Sequence, residues 1–78
     1  MVTFEKIKIE NDIIYYSYYP EGKNIKGIVS INIKTGEKNI VDLADNDKRK
    51  KYAIHVLSKL QQYRKDDNFK DKDGIAWY

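Results

Sequence analysis

The sequence predicts an α+β domain: an antiparallel four-stranded meander, open to a short fifth C-terminal strand, with one long helix packed on one face, in the order ββββα(β). Three observations carry that prediction. Residues 1–44 hold four stretches rich in β-branched and aromatic side chains, with turn residues between them. After residue 45 the apolar spacing changes to steps of three and four. Strands segregated from helix in this way indicate two layers, a sheet and a helix, rather than alternating βαβ units.

The first stretch, "TFEKIKIE" (3–10), sets Ile7 and Ile9 in alternation with Lys6, Lys8 and Glu10, the period of a strand with one wet face. Phe4 has the opposite parity, so the strand either begins near Lys6 or carries a bulge. Asn11-Asp12 is a turn pair, and "DIIYYSYYP" after it reads as a strand ended by Pro20, which cannot donate to a ladder. "EGKNIKG" (21–27) is a loop. "GIVSINIK" (27–34) is the cleanest strand, with Val29, Ile31 and Ile33 on one side. A tight turn around Thr35-Gly36 leads to "NIVDL" (39–43), where Val41 and Leu43 share a face.

"ADND" (44–47) offers side-chain oxygens to cap a helix. Ala53, Val56, Leu57, Leu60 and Tyr63 then fall on one helical face, and no Gly or Pro interrupts residues 47–65. At ~1.5 Å per residue such a helix spans roughly 27 Å, enough to cross three or four strands. The organisation is therefore one domain: sheet over 1–44, helix over 45–66, and over 67–78 a polar linker with a docked C-terminal segment. That segment, "GIAWY" (74–78), concentrates apolar side chains after a charged stretch, which suits pairing with a sheet edge or lying across a sheet face.

A chain of 78 residues buries only a little over ~60% of the surface its unfolded form exposes, so its stability is marginal. There is no cysteine to add a disulfide or a thiolate metal site. The absence of cysteine fits a reducing compartment. With no apolar run of signal-peptide or membrane-span length, the expectation is a soluble, cytoplasmic protein with no membrane role. Lysine outnumbers arginine thirteen to two in a chain also rich in Ile, Asn and Tyr, the composition a low-GC genome produces by mutation alone.

The second strand poses the main functional question. It carries two apolar faces: Ile14, Tyr16 and Tyr18 on one side, Ile13, Tyr15 and Tyr19 with Ser17 on the other. Ser17 is easier to leave in water, so the even set is expected to face the helix. Tyr15 and Tyr19 then stand on the outer face. The C-terminal segment, a second subunit or a ligand would each suit them, since a tyrosine ring is apolar while its hydroxyl can stay wet.

The charge is the second feature. Residues 1–44 are neutral in sum, and the net charge of +3 comes entirely from residues 45–78. Residues 48–65 contain seven basic side chains and no acid. On a helix, Lys48, Lys51, His55, Lys59 and Gln62 fall within about 40° of one line, opposite the apolar face. Cations in the first turn oppose the helix dipole, softened here by Asp45 and Asp47. The pattern suits a polyanion partner, nucleic acid included, although lysine alone carries no base-reading geometry. Arg49 and Arg64 lie at the two ends of the apolar face, where their stems can cover the sheet rim.

Familiar motifs fail on their chemistry. Gly22 and Gly27 have phosphate-loop spacing, but Ile28 and Val29 follow where Lys and Ser or Thr are needed. "DKDG" (71–74) matches part of a calcium loop, whose first ligand would be Phe69 and whose last would lie past Tyr78. His55 has Lys51 and Lys59 four residues to either side, which disfavours a bound metal. No cofactor is expected. The expectation is a non-enzymatic binding module, acting on another protein or on itself as a homodimer through Tyr15 and Tyr19. The alternative is a polyanion binder using Lys48, Lys51, His55 and Lys59.

Overall fold

The computed structural model describes residues 1–76. Its elements are β1 (Val2–Glu10), β2 (Ile13–Pro20), β3 (Gly27–Asn32), β4 (Lys38–Asp42), α1 (Lys51–Asp66) and β5 (Lys72–Ile75). All neighbouring strands are antiparallel, in the order β4-β3-β2-β1-β5, and α1 packs on one face. This is the predicted ββββα(β) arrangement. The short fifth strand exists, and it pairs with the sheet edge at β1. Gly74 and Ile75 of "GIAWY" lie in β5, with Ile75 opposite Val2 and packed on the core. Trp77 and Tyr78 lie outside the described residues.

Two turns set the register. Asn11 and Asp12 both take positive φ, at 51° and 65°, which makes the two-residue turn between β1 and β2 follow the sheet twist. Between β3 and β4, the Asn32 side-chain oxygen accepts the N–H groups of Lys34 and Thr35, and Gly36 adopts φ 80°. An asparagine that closes its own turn ends β3 at Asn32, so Ile33 packs on the core from a turn rather than from a strand.

The core joins Val2, Phe4, Ile14, Tyr16, Tyr18, Val29 and Ile31 of the sheet to Ala53, Val56, Leu60 and Tyr63 of α1. The even set of β2 faces the helix, as the pattern required. Gly27 lies directly opposite Tyr18. Any Cβ there would collide with the Tyr18 ring and the Ala44 nitrogen, so glycine is what lets that ring lie flat across β3.

Four local readings change. In β1 the pairing slips between Lys6 and Lys8, so of the two expected alternatives the strand carries the bulge, and what changes is burial. Val2 and Phe4 are buried, whereas Ile7 and Ile9 are 48% and 59% exposed. In β4 a bulge opposite Ile28 and Val29 likewise resets the phase: Ile40 and Leu43 pack on the core and Val41 is exposed. A bulge inserts one residue and reverses the parity of everything after it: in β1 it returns Ile9 to the face of Phe4, opposite Ile14 but at an exposed end of the sheet, whereas in β4 it overturns the expected pairing of Val41 with Leu43. Ser17 is buried, not wet. It is small, Tyr15 and Tyr19 flank it, and Glu5 and Ile28 oppose it, so larger neighbours shade it.

The fourth change is the start of the helix, at Lys51 rather than residue 45. Residues 44–50 form two consecutive turns, closed by Asp47 N–H to Ala44 O and Lys50 N–H to Asp47 O, and Lys50 sits at φ 61°. The Asp47 carboxylate accepts the N–H groups of Tyr52 at 3.0 Å and Ala53 at 2.9 Å. It thus satisfies two of the amides that a helix start leaves open.

Candidate functional site

Three tyrosine rings are buried in the core with their hydroxyls at its margin. Tyr16 donates to the carbonyl of Lys70 at 2.7 Å, in the loop between α1 and β5. Tyr18 donates to Asp47 Oδ2 at 3.2 Å and accepts the Ala44 N–H at 3.0 Å, in the segment before the helix. Tyr63 donates to Asp73 in β5. Each irregular connection flanking the helix is therefore pinned by a hydroxyl that the core projects to it. Phe69, which occupies the would-be first calcium position, instead packs edge-on against Tyr63 at 6.1 Å.

The ionisation of these groups follows from their placement. Burial raises Tyr18 to about 12, reinforced by the neighbouring Asp47 carboxylate. Burial also raises Tyr16, with the fields of Asp71 and Asp73 adding to it, and Tyr63, with its bond to Asp73 adding to it. Burial would push Asp73 up, but the bonds from Tyr63 and the Gly74 N–H, with Lys70 and Lys59 nearby, hold it below the usual carboxylate value. Phenols made less acidic are suited to holding a structure as neutral donors, not to proton transfer near neutrality.

Tyr15 and Tyr19 stand on the opposite face, half-buried, and among the described residues their hydroxyls make no hydrogen bond. The Lys8 ammonium lies 4.8 Å from the centre of the Tyr15 ring, within cation–π range. Tyr19 pairs across to Thr3, and Thr3 to Gly74. Because Gly74 lacks a side chain, the sheet surface drops beside Tyr19 and leaves an open groove of about 410 Å³. Its far wall is the ion pair of Lys72 with Glu5, at 3.8 Å. Aromatic, glycine floor and mixed charge thus lie side by side on one outer surface.

The basic residues do not form a single line. Lys48 belongs to the turn before α1, so the helical angle that aligned it with Lys51 does not apply. Lys48 and Lys51 are exposed, while His55 and Lys59 are half-buried, with the Lys59 ammonium 6.0 Å from the Tyr63 ring centre. A hollow of about 340 Å³ beside Tyr52 is lined by Lys48, Arg49 and Lys51 together with Asp45 and Asp47. Mixed signs there, and Asp47 already bound to the helix amides, leave little of the dipole's positive end for an anion. Of the cations expected in the first turn, Lys51 alone lies in it; Lys50 is the N-cap, and Lys48 and Arg49 precede the helix.

Arg49 does not cover the sheet rim; it is exposed. Arg64 does, donating through Nε to the Ile33 carbonyl at 3.1 Å and through a terminal nitrogen to that of Lys34 at 2.9 Å, above Gly36. Tyr52 donates to Glu21 at 2.9 Å, and Glu21 also holds the Met1 ammonium. Those two bonds lower the Glu21 pKa.

Among the described residues no group of three or more His, Cys, Asp or Glu side chains could hold a metal ion, and no helix is long and apolar enough to cross a membrane. No protein-family model matches the chain, and no curated protein or solved structure is significantly similar to it.

Proposed function

We propose that this protein is a small non-enzymatic binding module that engages a partner protein through the outer face of its sheet, with Tyr15 and Tyr19 as anchors. One observation carries the reading: the fold leaves two tyrosines only partly buried on the face away from the helix, one of them beside an open groove with a charged wall. Tyrosines with apolar rings and wet hydroxyls, next to a concavity, are what protein interfaces favour. A reducing, cytoplasmic setting suits a cysteine-free chain.

A second reading has its own support. Lys48, Arg49, Lys50 and Lys51 form a continuous exposed cationic run that a polyanion would find attractive. Salt and mutation separate the two. Immobilised wild-type protein is compared with a Tyr15→Ala/Tyr19→Ala variant and a Lys48→Glu/Lys51→Glu/Lys59→Glu variant for capture of the same partner from cell extract. The outer-face reading expects capture to survive the lysine changes and raised salt and to be lost with the tyrosines. Loss with the lysines, together with steep salt dependence, replaces it with the polyanion reading.

A further inference from the structure

The sheet has an uncovered length of edge at the end of β1. Strand β5 pairs with Val2–Glu5 only, and the Lys6 N–H bond to the Asp71 carbonyl is the last one on that side. Among the described residues nothing pairs with Ile7–Glu10 on that edge. The direction of the backbone there follows from the turn. A two-residue turn at Asn11-Asp12 makes Glu10 and Ile13 the pair that exchanges hydrogen bonds. By alternation the N–H and C=O of Ile9 point away from β2, into the open edge. The same short segment carries Ile7 and Ile9, two of the most exposed large apolar side chains in the fold. Ile9 lies opposite the buried Ile14, so the apolar surface at the edge continues into the core.

We propose that two copies of this chain associate through this edge, β1 against β1, antiparallel and centred on Ile9. Charge selects both the occupant and the register. A two-fold axis at Ile9 sets Ile9 against Ile9 of the second copy with both of its backbone bonds made. It sets Lys8 against Glu10 of the second copy and Glu10 against Lys8. An axis at Lys8 opposes two lysines, and an axis at Glu10 opposes two glutamates, both unfavourable across strands. The segment Lys8-Ile9-Glu10 is therefore complementary to itself in one register. Lysines on a sheet edge ordinarily discourage pairing; here they discourage every register but this one. The axis stands perpendicular to the sheet, so the two five-stranded sheets run on as one of ten strands, with both helices on one face and both outer faces on the other. The contact uses the same patch on each copy and closes on itself, giving a dimer and not a fibre. Only about four residues a side take part, so the dimer is weak and reversible, well under the ~1,000 Å² of a stable interface. The proposal does not depend on the outer-face reading, and different residues test it.

Sedimentation equilibrium up to about 1 mM protein tests it. Lys8 and Glu10 side chains are 55% and 61% exposed, so exchanging their charges leaves the fold intact. Wild type is expected to show a monomer–dimer equilibrium. Lys8→Glu alone and Glu10→Lys alone are each expected to weaken association roughly tenfold, by turning two attractive cross-strand pairs into repulsive ones. An equimolar mixture of the two variants recovers it. So does the double variant Lys8→Glu/Glu10→Lys, whose net charge equals that of wild type, which excludes a general charge effect. A wild-type monomer at about 1 mM overturns the proposal. So does association that survives both single changes, or that Val41→Lys on β4 or Tyr15→Ala/Tyr19→Ala abolishes in their place.

Discussion

Tyr18 and Tyr19 are neighbours in one strand with the same side chain, and the fold uses them in opposite ways. Tyr18 buries its ring against Gly27 and spends its hydroxyl on Asp47 and Ala44. Tyr19 is only partly buried and lines a groove on the outer face. Tyr16 and Tyr15 repeat the contrast one step along the strand. The inner pair teaches why tyrosine rather than phenylalanine stands in so small a core. A phenol is long enough to fill the layer between sheet and helix and still reach the irregular chain at its margin. A domain of this size has little core to hold its loops by packing alone, and these hydrogen bonds hold them instead. No such demand acts on the outer pair, which is why they carry the binding proposal.

The largest effect that would sharpen the contrast is truncation on each side. Tyr18→Ala leaves a cavity and strands the Asp47 and Ala44 groups, and is expected to cost about 3–5 kcal/mol, much of the stability of a small domain. Tyr19→Ala is expected to cost less than about 1 kcal/mol. Urea unfolding measures both; equal costs would erase the distinction between the faces.

A smaller effect isolates the hydroxyl. Asp47→Ala removes the acceptor for Tyr18 and for the Tyr52 and Ala53 amides, at about 2 kcal/mol. Tyr18→Phe is expected to cost about 1 kcal/mol in the wild type and clearly less in the Asp47→Ala background, because the two changes remove the same contact. Additive costs in that double-mutant cycle would show that hydroxyl and carboxylate act independently.

The smallest effect is on pH. Tyr18 has its folded pKa raised from 10.0 to about 12. A raised value means that the neutral phenol is favoured by folding. Its contribution is whole below pH 10 and is lost as pH rises toward about 12. Stability measured across that window should decline, and Tyr18→Phe should decline less steeply. A profile that the substitution leaves unchanged would mean that the hydroxyl ionises without cost to the fold.

Much of this was legible in the residues. The parity of Ile14, Tyr16 and Tyr18 assigned the inner face of β2, and the spacing of Ala53, Val56, Leu60 and Tyr63 assigned the buried face of α1. The capping role of 44–47 was visible as a cluster of oxygens, but not that Asp47 alone would supply the cap. The candidate outer-face pair, Tyr15 and Tyr19, followed from the same parity. The groove beside Tyr19 did not, since it needs Gly74, some 55 residues later, to arrive in register with Thr3.

What the sequence determined by itself was periodicity: which stretches are strands, which is helix, where the turns fall, and that four strands precede one helix. These depend on side chains within a few residues of each other, so they survive without knowledge of the rest. Tertiary structure decided the phase of β1 and β4, the first residue of the helix, the burial of Ser17 and the purpose of each phenol. A bulge changes parity without changing composition. Asp47 marks the start of the helix because Tyr18, 29 residues before it, holds it there, and Tyr16 reaches a carbonyl 54 residues away. Such contacts are set by how the layers stack, and no local pattern encodes them.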